Sequence, residues 1–160
     1  MKNLHQRIGA AAVVLLFVAA ASAAADSSWL TDIKQAQQQA KNDNKLVLLD
    51  FTGSDWCGWC IKLNREVFSK PEFKEYASKN LVLMEVDFPR QKKLDTTLQE
   101  QNEHLAQQYH VAGFPTLVIL NGDGKKIGEL DYSAAIPPGS QEAKATAGTF
   151  IAELEKLRRG

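Results

Sequence analysis

Leu46-Val47-Leu48-Leu49-Asp50-Phe51-Thr52-Gly53-Ser54-Asp55-Trp56-Cys57-Gly58-Trp59-Cys60 decides how the rest of the chain is read. Leu46 to Phe51 is apolar at every position but Asp50, the pattern of a strand buried on both faces. Past a short polar loop come two cysteines three residues apart, and Cys60, Leu63, Val67 and Phe68 then keep helical spacing. A helix start offers unpaired N–H groups and a partial positive charge, which lower a thiol pKa and make Cys57 the candidate nucleophile. Cys60, one turn on along the same face, is placed to attack a mixed disulfide held on Cys57 and release the partner. A static disulfide is the plain alternative, but so short a loop gains little closure entropy from one. Two thiolates also suit Cu(I).

Outward from this segment, Leu81 to Val86 is a second buried run. Between the two, Ser69-Lys70-Pro71-Glu72 has the form of a capping box that restarts a helix carrying Phe73, Tyr76 and Ala77. Strand, broken helix, strand is a βαβ unit. Upstream, Trp29, Ile33, Ala36 and Ala40 predict an amphipathic helix to about Lys41, stopped by Asn42-Asp43-Asn44. Downstream, Leu94, Leu98, Leu105 and Tyr109 mark another helix. Thr116–Leu120 and Lys126–Leu130 read as a hairpin about Asn121-Gly122-Asp123-Gly124, and Phe150, Ile151, Leu154 and Leu157 form a last helix after Pro137-Pro138-Gly139. The order α-β-α-β-α-β-β-α predicts an α/β fold, a central mixed sheet with helices on both faces.

The chain of 160 residues is 44% hydrophobic, enough for one packed domain, and 19 basic residues balance 19 acidic ones. Zero net charge removes the electrostatic footprint expected of a nucleic-acid binder. Two cysteines exclude a multi-bridge disulfide scaffold and a four-cysteine zinc site. His104 and His110, six residues apart on the expected helix, would point about 120° apart, so no metal is expected there. Lys2 and Arg7, the uncharged apolar stretch from Ile8 to Ala21, and small residues to Ala25 have the three-part layout of a secretory signal peptide over residues 1–25. Cleavage after Ala23 or Ala25 leaves residues 26–160 as one domain, exported to the periplasm or secreted. The apolar run is too short to span a bilayer, so no stable membrane insertion is expected after cleavage.

Asp50-Phe51, Trp56-Cys57-Gly58-Trp59-Cys60 and the later Gly113-Phe114-Pro115-Thr116 together resemble the thioredoxin family. The order of elements agrees from about Trp29 to Leu157, and the likeness is nearest to exported thioredoxin-like proteins with a Trp-Cys-x-x-Cys site. The resemblance implies a thioredoxin fold in which Pro115 is cis beside the cysteine pair and the backbone of Phe114 pairs with a substrate segment. It also implies that Asp50 is buried behind Cys60 and relays its proton, that Trp56 is a partly exposed platform beside Cys57, and that Trp59 forms an apolar docking rim.

Three features depart from the family pattern. Thr52-Gly53-Ser54-Asp55 makes the loop one residue longer, Glu85 stands where thioredoxins often carry a Lys facing the Asp, and Gly58-Trp59 replaces Gly-Pro. If Asp50 and Glu85 both face inward, their repulsion raises one pKa further. The Pro-His pair of the family's strong oxidants is absent, which leans toward a reductant or isomerase. The expected activity is thiol-disulfide exchange with partner-protein disulfides or thiols, linked to a redox donor or acceptor. No dissociable cofactor is needed, because the cysteines carry the two electrons. A Cu(I) carrier or a chaperone-type module without redox turnover is the competing class.

Overall fold

The computed structural model describes residues 29–139 and 144–160. The expected signal peptide therefore lies outside the described residues. Seven residues of β1 (Leu46–Thr52) pair in parallel with β2 (Leu81–Asp87), in a register that sets Asp50 opposite Glu85 and Thr52 opposite Asp87. On its other side β1 pairs antiparallel with β3 (Thr116–Leu120), which forms a hairpin with β4 (Lys126–Leu130). The sheet order is β2-β1-β3-β4, a mixed sheet as expected.

Side chains alternate across each strand, so the buried runs feed two cores. Val47, Leu49, Phe51, Val82, Met84 and Val86 face α1 (Ile33–Asp43) and α4 (Thr96–Gln108). Leu48, Leu81, Leu83, Leu117 and Ile119 face the helical segment α2 (Gly58–Leu63), α3 (Pro71–Asn80) and α5 (Ala147–Arg159). By this parity Asp50, Glu85 and Asp87 belong to the second face. They stand where its apolar residues run out, at the carboxyl ends of β1 and β2 and beside the helix that carries Cys60.

Several local expectations are corrected. The first helix starts at Ile33, not near Trp29, because the Asp32 carboxylate caps the backbone N–H of Gln35 at 2.7 Å. Leu30 instead makes a parallel bridge to Met84 and covers part of the outer edge of β2, with Leu30 N–H donating to the Leu83 carbonyl and Glu85 N–H to the Leu30 carbonyl. The helix stops as expected, with Asn44 left-handed. No capping box forms at Ser69. The Ser69 hydroxyl bonds Asn64 Oδ1, Lys70 holds the cap position without a side-chain bond, and Pro71 opens α3. Between α2 and α3 the chain widens into one π-helical turn (Asn64–Phe68). Asp95 caps α4, which leaves Leu94 outside it, and His110 lies beyond its end with φ of 56° rather than on the helix. A short 3₁₀ turn (Tyr132–Ala135), without a hydrophobic period to announce it, follows β4.

Candidate active site

β1 delivers the chain to a loop that folds back on Gly53, whose carbonyl accepts the N–H groups of Trp56 and Cys57. Cys57 is the N-cap of α2, and its Sγ accepts the backbone N–H of Cys60 at 3.2 Å. The two cysteines are joined as a disulfide with their Cα atoms 5.3 Å apart. Both sulfurs' residues are almost covered, at 6% and 5% exposure, whereas Trp59 between them stands 57% exposed. Lys62 lies over both the Trp59 and Tyr132 rings, which are themselves 5.0 Å apart.

The Phe114–Pro115 bond is cis. Pro115 is buried, and a shallow groove of about 420 Å³ runs along Phe114, Pro115, Trp59 and Tyr132. Phe114 stacks on Phe88 and meets Trp56 edge-on, with ring centres 5.1 and 6.0 Å apart. Trp56, partly exposed, carries the Arg90 guanidinium 3.7 Å from its ring centre. Trp59, Phe114 and Pro115 thus line one groove and Trp56 packs on Phe114, which joins the residues flanking the cysteines to a segment more than fifty residues away.

Behind Cys60 lies a separate polar cavity of about 380 Å³ that reaches Asp50 and Glu85. Asp50 is buried, and its Oδ1 has no hydrogen-bond partner among the described residues. Burial, and then the charges of Glu85 and Asp87, push its carboxyl up to about 8. Glu85 is also raised, first by burial and then by Asp87, while Lys92 opposes the shift. Asp87 is saturated. Its carboxylate accepts the N–H and Oγ–H of Ser54 and pairs with Lys92 Nζ at 2.8 Å.

Ser54, Asp87 and Lys92 were not among the residues singled out in the sequence, although Asp87 shares a face with Glu85 by the period of two. Asp55 was missed as well. Its carboxylate accepts the backbone N–H groups of Arg90, Gln91 and Lys92, so the longer loop is clasped to the segment after β2. Tyr132 carried no sequence signal.

Residues 33–142 match the thioredoxin-like domain family. The chain belongs to that family. This thioredoxin-like domain is 39% identical over 98 residues to the disulfide bond reductase DsbH of Chlamydia pneumoniae, a match covering 61% of this chain and 59% of that protein. It is 34% identical over 99 residues to the thiol:disulfide interchange protein DsbD of Pasteurella multocida, covering 61% of this chain and 16% of that protein. The matches thus span less than two thirds of these curated relatives' length. A solved DsbH oxidoreductase structure superposes with a TM-score of 0.72 at 30% identity, covering 99% of this chain and 94% of that one. Within that domain the Trp-Cys-Gly-Trp-Cys segment carries its two cysteines as a disulfide.

Proposed function

We propose that this domain is an exported thiol-disulfide oxidoreductase that works as a reductant or isomerase on partner-protein disulfides. The observation that carries the reading is the Cys57–Cys60 disulfide at the cap of α2, with Trp59 of the same segment lining the cis-Pro115 groove and Cys60 lining a cavity that reaches Asp50 and Glu85. In the reduced protein, the Cys57 thiolate attacks one sulfur of a partner disulfide, forming a mixed disulfide and expelling one partner thiolate. Cys60 then gives up its proton toward Asp50 and attacks Cys57 Sγ. The second partner sulfur departs with the bonding electron pair, and the Cys57–Cys60 disulfide is restored. A separate thiol donor returns two electrons to close the cycle. Trp56, Trp59, Phe114 and Pro115 form the rim that receives the partner chain.

Electrostatics support the reducing direction. Negative charge on Asp50, Glu85 or Asp87 opposes negative charge on a nearby sulfur, so the carboxyls favour the disulfide over a thiolate-bearing reduced pair. The relative named a disulfide bond reductase points the same way. Export rests on the layout of residues 1–25. No helix among the described residues is long and apolar enough to cross a membrane.

Cys60→Ser tests the assignment. Attack by Cys57 persists and resolution is lost, so partner proteins accumulate as mixed disulfides on non-reducing gels, whereas Cys57→Ser accumulates few. Adducts on the Cys57→Ser protein alone would invert the roles.

A further inference from the structure

The cavity behind Cys60 holds two carboxyls that differ in how they meet solvent. Asp50 is buried and carries the orphaned Oδ1, while Glu85 is only partly buried. They are direct partners in the parallel register of β1 and β2, on strands about 4.8 Å apart, and both line the same cavity as Cys60. The cavity is polar and roomy enough to admit water. Asp87 faces the pair from β2, but Ser54 and Lys92 occupy its carboxylate; Lys74 reaches the cavity from α3. The Glu85 carboxylate has no hydrogen bond or ion pair among the described residues, so of the two outer carboxyls it is the one with capacity to accept.

We propose that Glu85 acts through Asp50 as the exit of the proton path, taking the proton that Cys60 surrenders and passing it to solvent at the cavity mouth. The role rests on the exchange reaction proposed above. As Cys60 attacks, the Cys57–Cys60 bond forms and the bond from Cys57 to the partner sulfur breaks with its electron pair on the departing sulfur. The proton leaves Cys60 for Asp50, then Glu85, then solvent, and solvent returns one proton to the released thiolate. A lysine at position 85 would hold Asp50 ionised as a fixed pair; a carboxyl there, repelled by a charged Asp50, favours a single shared proton that can move.

The test is single-turnover reduction of a peptide disulfide by the fully reduced full-length protein across neutral to alkaline pH, following release of the second peptide thiol. Glu85→Gln and Glu85→Ser both remove the carboxyl, and either one, if folded, suffices. Release should slow by about tenfold at low buffer concentration, a small part of what general acid-base catalysis contributes. The midpoint of the pH profile should move down, because the charge opposing Asp50 ionisation is gone, and added imidazole should restore most of the rate. Glu85→Asp should keep the wild-type independence of buffer. A folded carboxyl-free variant with the wild-type midpoint and no response to imidazole overturns the role of Glu85 alone. A wild-type protein that releases no thiol overturns the exchange reaction beneath it.

Discussion

Trp56 donates its indole N–H to the Phe88 carbonyl at 2.8 Å. The bond ties the first residue of the Trp-Cys-Gly-Trp-Cys segment to the loop after β2, and Arg90 of that loop closes over the same ring. Phe114, next to Pro115, packs against both Trp56 and Phe88, so this groove residue is backed by one aromatic assembly built from three loops. Disturbing any one loop should be felt at the others.

Gly53→Ala disturbs it directly. A Cβ at Gly53 would lie 2.5 Å from Trp56 Cε2 and 2.6 Å from Nε1, so the indole must leave its place and give up the Phe88 carbonyl. Overpacking of this kind costs about 1–3 kcal/mol. The variant should melt lower, shift its tryptophan emission and reduce partners more slowly while still forming the Cys57–Cys60 disulfide. Unchanged emission and stability would show that the ring is not held there.

Asp50→Asn should stabilise the oxidised protein in a pH-dependent way. The carboxyl is raised in the fold to about 8, so the stability it permits is complete only below its unfolded pKa and is lost as pH rises through the folded value. The amide has no such loss. Denaturant unfolding should show little difference between the two proteins near pH ~3, a gap that widens across roughly pH 4–8, and a plateau above that. A gap independent of pH would mean that Asp50 is not held neutral.

Asp55→Asn should weaken the clasp with the opposite pH dependence. Asp55 lies below the usual carboxylate range, chiefly because the Arg90 backbone N–H bonds its ionised form, with Gln91 and Lys92 adding to it. A lowered value means stability that is present above the unfolded pKa and lost as pH falls through the folded one. Thermal melts should place the variant below wild type at neutral pH, and the two curves should converge in acid. Equal melting at neutral pH would leave the clasp without energetic weight.

The buried runs Leu46–Phe51 and Leu81–Val86 were legible because strands covered on both faces cannot avoid being apolar, and Asp50 stood out for breaking one of them. The cysteine pair and Pro115 were legible as motifs. What stayed hidden depends on contacts that leave no period in the chain. Leu30 makes a single bridge to Met84, so nothing in its neighbours marks it as sheet rather than helix. Asp55 finds its partners thirty-five residues and more away, and they are backbone N–H groups, which any residue but proline would supply. Asp87 lay within reach, two residues from Glu85 on the same face, but its pairing with Ser54 and Lys92 emerges only once the loop is folded over the strand ends.

The most direct measurement is insulin reduction by the full-length protein with dithiothreitol as the electron donor, run beside Cys57→Ser and Cys60→Ser. The wild type should turn over many times per molecule, and the loss of either cysteine should bring the rate down to that of dithiothreitol alone. Turnover that survives loss of Cys57, or a wild type no faster than the donor by itself, would contradict the account.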